Sequence, residues 1–409
     1  MTATYLYYII IVILIVSFIV DKVLEYLNAK CLTDIPPQEL SDIYEPSEYK
    51  KSQEYSRTNY TFGRTTSTIS FCITLIFLHI GGFEYVDLFA REYADGTILT
   101  ALFFFGIIML GGEIISVPFS YYSTFVIEER FGFNRSTRKI FCTDTLKGWI
   151  LSGLFGSLIL SAIIILYEYL GQDFWIYAWG LVTAFTIIIN MLYSSVIVPL
   201  FNKQTPLEDG VLQDQISAYA AKVGFDIQDI FVIDGSKRSS KANAYFSGFG
   251  RKKRITLYDT LINDLEVNEI VAVLAHEVGH FKRRHIIFNL ILSALITGLT
   301  FYIFSLFVSN PMLSFALGVS TSSFHVGLIG FGLLYSPMNE IFGLLSNLIS
   351  RKFEYQADKY VKDTSDPDAL VRGLKKLSKN NLSNLTPHPA YVFAHHSHPT
   401  LHERIRNLG

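Results

Sequence analysis

Seven stretches of this chain are too apolar to sit in water: Tyr5–Leu24, Thr66–Phe83, Ile98–Phe119, Trp149–Leu170, Trp175–Leu200, Ile286–Val308 and Phe324–Ser350. Crossing the hydrocarbon of a bilayer takes about 20 mostly apolar residues. Inside it every backbone N–H and C=O needs a partner, which runs of this length find as helices. The chain is therefore expected to be mostly α and polytopic, with the lipid bilayer as a constant partner. Half of its 409 residues are hydrophobic and 17% are charged, too little charge for a water-soluble domain of this size. A net charge of −2 gives no electrostatic reason to expect nucleic acid. Cys31, Cys72 and Cys142 are scattered, without the C-x-x-C spacing of a metal site or a disulfide frame. The first run lacks a basic stretch before it and a small-residue cleavage site after it. It reads as an anchor that stays in place.

The charges between the runs assign sides. Lys30, Lys50, Lys51, Arg57 and Arg64 separate runs one and two, and Arg130, Arg135, Arg138, Lys139 and Lys147 separate three and four. Arg251-Lys252-Lys253-Arg254 falls between five and six, Arg351-Lys352 follows seven, and the alternate loops hold Arg91 alone. By the positive-inside rule the N-terminus lies outside and both long polar segments face the cytosol. The expected organisation is 1–200 for five spans and their loops, 201–285 for a polar insert, 286–350 for two further spans and 351–409 for a tail. Within the insert, Asp229–Asp234 reads as a strand, and Asn243–Phe249 with Arg254–Tyr258 as a hairpin around Gly250. Val267 to His285 reads as one helix, with Ile270, Val273, Leu274 and Val278 at helical spacing.

Chemistry enters with Ala275-His276-Glu277-Val278-Gly279-His280, an H-E-x-x-H pattern. On a helix, residues i and i+4 share a face. His276 and His280 can therefore offer two imidazoles to one Zn2+, with Glu277 beside them as general base for a water. A catalytic zinc takes a third protein ligand and keeps one position open. Glu354 is the candidate, because two crossings separate it from His280 and an even number returns the chain to the same side. Asp358, one turn beyond, can accept the N–H of a ligand histidine and fix its ring. The bland alternative is that Glu354 and Asp358 pair with Arg351 or Lys352 on a solvated helix.

H-E-V-G-H, two spans, then Glu354-Tyr355-Gln356-Ala357-Asp358 resembles the M48 peptidases, and within them the Ste24 type, the CAAX prenyl protease 1 group. Phe125 to Asn134, Pro199 to Lys203, Ser236 to Ser240 and His398-Pro399 with Arg404-Ile405 carry the resemblance over nearly the whole chain. It implies seven transmembrane helices enclosing a water-filled chamber, with a small α+β zincin-like peptidase domain whose single zinc faces the chamber. Polar residues within the runs, such as Glu113, Asn190, Asn289 and Asn339-Glu340, fit such a cavity. The resemblance also implies that a peptide substrate lies as an added strand along Asn243, Ala244 and Tyr245. His398 and Arg404 match residues expected to hold the substrate carbonyl or the developing oxyanion. His395, His396 and His402 are read as incidental.

The expected function is zinc-dependent hydrolysis of a peptide or protein at a membrane. By resemblance the substrate is a C-terminal tripeptide released from a prenylated protein. The location would be the endoplasmic reticulum membrane in a eukaryote, or the inner membrane in a bacterium. Without prenylated substrates, quality control of membrane proteins is the alternative. A site-2-type protease is disfavoured because Lys282-Arg283-Arg284 place the motif at the water interface. A transporter carrying a dead peptidase domain is disfavoured by the intact His276, Glu277, His280 and Glu354.

Overall fold

The computed structural model describes residues 2–226, 229–247 and 254–409, with backbone alone at 39 and 244–247. Six helical stretches are long and apolar enough to cross a membrane. The longest, Arg138–Phe201, would be about 95 Å long as a single rod, some three times the hydrocarbon thickness. It is instead a hairpin. Gly171 takes φ +57°, a value glycine reaches without a Cβ clash. The Phe155 and Phe185 rings then meet 5.7 Å apart across the two arms. The six stretches thus contain seven helices of crossing length.

In chain order the principal helices begin with α1 (Ala3–Lys30), α2 (Pro46–His79), α3 (Gly82–Tyr93), α4 (Thr97–Tyr122), α5 (Arg138–Leu170) and α6 (Phe174–Leu192). The insert adds α7 (Val211–Lys222) and α8 (Val267–Lys282). The chain continues with α9 (His285–Phe307), α10 (Met312–Ala316), α11 (Phe324–Thr364), α12 (Pro367–Asn380), α13 (Pro389–His395) and α14 (Leu401–Leu408). The spanning helices form a ring in which α1 touches α2, α4 touches α5, and α6, α9 and α11 follow in turn back to α1. Phe62 of α2 closes the remaining seam by stacking on Tyr122 at 5.3 Å.

The ring is filled at one end only. There Phe104, Ile164, Phe174, Phe304, Leu317 and Val326 are buried together with α3 and α10. Towards the other end α5 buries no residue from Arg138 to Ala162, and α4 none from Phe105 to its end. Helices that touch their neighbours without burying side chains leave that end unfilled, which fits the polar residues within the runs.

The peptidase elements sit at that open end. Four strands, β1 (Gln204–Pro206), β2 (Asp229–Ile233), β3 (Ala244–Ser247) and β4 (Arg254–Tyr258), form a sheet in the order β1-β2-β4-β3. β2 and β4 are parallel, and β3 runs antiparallel to β4 at the edge. Gly248 to Lys253, which include the end of the expected Asn243–Phe249 strand and the turn at Gly250, lie outside the described residues. Ile255, Leu257, Ile270, Leu274 and Val278 share one core with Val361, Leu370 and Leu408, so insert and tail fold as one body. Lys241 anchors β3 to the membrane helices. Its Nζ donates to Tyr55 Oη at 2.8 Å, lies 2.9 Å from Glu128 Oε2, and stands 4.4 Å over the Phe133 ring.

One expectation needs correction. The helix begun at Val267 ends at Lys282, not His285, because Arg284 turns to φ +59° and starts a new helix at His285. The apolar periodicity runs on across this corner, so the sequence hides it. The seventh run, Phe324–Ser350, is the apolar part of a longer helix. α11 continues to Thr364, about 60 Å in all, so its last turns project beyond the bilayer.

The shared core sets a topology test. Single cysteines at exposed Ser217 and Asp368, in a background lacking Cys31, Cys72 and Cys142, should react alike with an impermeant thiol reagent. One at exposed Thr321 should show the opposite accessibility. Labelling of Ser217 and Asp368 from opposite faces would rule out the single-body arrangement.

Candidate metal centre

Two helices make the site. α8 begins with a capping box in which the Glu269 carboxylate accepts the Glu266 N–H at 2.9 Å. It buries Ile270, Leu274 and Val278 and turns His276 and His280 towards α11. The two helices approach closely because residue 279 is glycine. A Cβ there would stand 3.0 Å from Tyr360 Cβ and 3.1 Å from Ala357 Cα, tighter than side chains normally pack. Glu354 and Asp358 are thereby brought against the two histidines.

The ligand atoms converge. His276 Nε2 and His280 Nε2 lie 3.2 Å apart, and the Glu354 oxygens lie 3.3 Å and 3.2 Å from them. Bonds of about 2.0–2.1 Å in tetrahedral coordination place neighbouring ligand atoms about 3.3 Å apart. The triangle thus has the size a small divalent ion needs. Glu354 Oε2 is buried and accepts no hydrogen bond among the described residues, as an atom reserved for an ion would be. The residues fit a metal.

Asp358 is fully buried, and its Oδ1 accepts from His276 Nδ1 at 2.9 Å. That leaves Nε2 with its lone pair towards the ion. Arg404, near the start of capped α14, closes its fork on Asp358, with Nη2 donating to Oδ1 at 2.6 Å and Nε to Oδ2 at 3.0 Å. Its Nη1 stands 3.6 Å from Glu354 Oε2. Burial and the Arg404 charge push the His276 pKa down, but its hydrogen bond to Asp358 and the negative charge of Glu354 outweigh them and leave it raised. Burial likewise lowers the Arg404 pKa, and Asp358 more than restores it.

Of the remaining expected residues, Glu277 is half-buried beside the histidines. His398 is exposed, with Nδ1 3.0 Å from Glu354 Oε1, at the rim of the ion site. Arg351 ties that tail segment to α11 by donating to the Val392 carbonyl at 3.1 Å. Asn243 leads into the edge strand, and its carbonyl accepts from Tyr258 N–H at 3.2 Å. Ala244 and Tyr245 belong to β3, whose backbone pairs with Leu257 and Thr256. The fork of Arg404, expected at the substrate oxygen, is engaged by Asp358. Sequence reasoning passed over Gly279, His285 and Gln356. The glycine inside the motif was the available signal for the first.

A carboxylate beside three residues that could hold a metal ion, at the mouth of a helical ring, is equipped for hydrolysis, and the class is that of integral-membrane metallopeptidases. Residues 25–203 match the CAAX prenyl protease N-terminal domain of five membrane helices, and residues 206–409 match peptidase family M48. The chain belongs to peptidase family M48, with the CAAX prenyl protease 1 proteins. It is 39% identical to the CAAX prenyl protease 1 homolog of Dictyostelium discoideum over 388 residues, 93% of this chain and 90% of that one. It is 36% identical to CAAX prenyl protease 1 of Saccharomyces cerevisiae, over 92% of this chain and 88% of that one. Among solved structures, S. mikatae Ste24p superposes with a TM-score of 0.94 at 35% identity, covering 98% of this chain and 99% of that chain.

The packing generates a direct test. Gly279→Ala should lower stability by about 1–3 kcal/mol, as overpacking does, and should weaken metal retention. Gly343→Ala, on α11 where a Cβ meets open space, should do neither. Thermal unfolding with metal analysis reads both. His276→Ala, His280→Ala and Glu354→Ala should each lose metal as well as activity. Asp358→Asn should cost about 10–100-fold in affinity or activity, the range for a partner of a ligand. Full metal content in Glu354→Ala would move the third ligand elsewhere.

Proposed function

We propose that this protein is a zinc-dependent endopeptidase that removes the C-terminal tripeptide of prenylated proteins, cleaving after the lipid-bearing cysteine on the cytosolic side. The observation that carries the substrate assignment is similarity along the whole length. The Dictyostelium and yeast relatives named for CAAX processing match both the membrane ring and the peptidase body. The physics agrees. Each buried CH2 of a lipid chain contributes about 0.8 kcal/mol to membrane binding, so a prenylated tail is held at the bilayer. An enzyme whose ion site opens onto a ring of membrane helices meets that tail where it resides. Basic loops on the peptidase side support the cytosolic orientation.

His276, His280 and Glu354 would hold one zinc ion, and Asp358 would fix His276. When bound, zinc supplies Lewis-acid polarisation of the scissile carbonyl and of the attacking water. The peptide pairs along β3, whose edge has no further strand among the described residues, at Asn243, Ala244 and Tyr245. Glu277 takes the proton of the attacking water and passes it to the leaving amine. His398, exposed at the rim, donates to the substrate carbonyl as negative charge develops on it. Arg404 keeps Asp358 and Glu354 charged and in register, and so acts on the substrate through the ligands. The insert 201–285 and the tail 351–409 work as one catalytic unit on the spans 1–200 and 286–350.

Glu277→Ala should retain zinc and fold and lose hydrolysis, since Glu277 is no ligand here; turnover near that of the parent would refute its role. A synthetic farnesylated C-terminal peptide should be cleaved and its unprenylated twin cleaved far more slowly. Equal rates for the two would refute the substrate class and leave the peptidase assignment standing.

A further inference from the structure

A histidine that ligates through Nε2 carries its proton on Nδ1, and that proton needs an acceptor. For His276 the acceptor is Asp358. For His280 no carboxylate stands there among the described residues. Its Nδ1 lies 3.0 Å from Nδ1 of His285. On the far side of that ring, His285 Nε2 lies 2.9 Å from Gln356 Oε1. An amide oxygen only accepts, so His285 carries its proton on Nε2 and presents a bare lone pair at Nδ1. That lone pair is satisfied when His280 is protonated on Nδ1. The Nε2 of His280 is then bare, and it is the atom 3.2 Å from both His276 Nε2 and Glu354 Oε1.

The backbone is bent to make this contact. One helical turn beyond His280 stands residue 284. Arg284 instead adopts φ +59°, which side-chain-bearing residues seldom occupy, and the corner brings His285 beneath His280. His285 is 3% exposed and its ring stacks on Phe353, with centroids 4.0 Å apart and planes at 7°. Phe353 and Gln356 flank Glu354 in sequence. The turn of α11 that supplies the third ligand therefore also clamps the support of the second.

We propose that His285, locked by Gln356, is a positioning residue that fixes the tautomer and ring orientation of the ligand His280. This rests on the zinc site described above. A purely structural role, in which His285 merely fills the corner between α8 and α9, makes different predictions.

The test is zinc affinity of the full-length protein, measured by chelator competition, with the visible spectrum of the cobalt-substituted protein as a reporter of ligand geometry. His285→Phe keeps a flat ring against Phe353 and removes the acceptor. It should weaken zinc binding about 10–100-fold, the range for partners of ligands, and alter the cobalt spectrum. His285→Asn places an amide oxygen near the position of Nδ1 and should stay within about threefold of the parent. Gln356→Leu leaves the stack intact and frees the His285 tautomer, and should lose about tenfold. Should His285→Phe fail to fold, Gln356→Leu decides alone. Parent-like affinity and spectrum in His285→Phe and Gln356→Leu would overturn the proposal. An equal loss in His285→Asn and His285→Phe would also overturn it, because packing would then be the cause. Loss of zinc from the parent itself would instead strike at the ligand assignment.

Discussion

The close approach of α8 and α11 at Gly279 is the constraint on which the rest depends. Helices ordinarily pack with axes 8–10 Å apart. Here the absence of one Cβ lets Ala357 and Tyr360 settle onto the motif helix. Two histidines from one helix and a glutamate from the other then form a triangle with edges of 3.2–3.3 Å. Metal–ligand distances in such sites are expected within about 0.2 Å of their reference values. Glu354 also rides on a helix long and apolar enough to cross a membrane, so the ring and the peptidase body share one element.

Charge is balanced with similar economy. Asp358 is fully buried, and an isolated carboxylate at such a position would neutralise itself instead of accepting from His276. Arg404 prevents that with two parallel donors, a geometry a lysine does not offer. Breaking a buried pair of this kind costs about 3–5 kcal/mol, because the surviving charge is left unpaired. The C-terminal helix, through a single guanidinium, is thus part of the metal site although it supplies no ligand.

Much of this was legible in the sequence, and the parts that were not share a cause. Apolar runs announce membrane helices because the bilayer acts on composition alone, and H-E-x-x-H announces its geometry because both histidines lie on one helix. Glu354 could be found by counting crossings. The partnership of Arg404 with Asp358 depends on the path of α14 over α11, which no local pattern records. The corner at Arg283–Arg284 was invisible, since His285-Ile286-Ile287-Phe288 continues the pattern of the helix before it. His285 and Gln356 were missed for the same reason. Their meaning lies in a contact between residues 71 positions apart, which no local periodicity records.

The central claim is that one zinc ion is held by two imidazoles and a single carboxylate, on two helices joined across the membrane. X-ray absorption at the zinc edge of the purified protein measures this directly. The account predicts one zinc per chain with four light-atom neighbours at about 2.0–2.1 Å, and outer-shell scattering from two imidazole rings. Scattering from three or more rings, a sulfur shell near 2.3 Å, or less than one zinc per chain would contradict it.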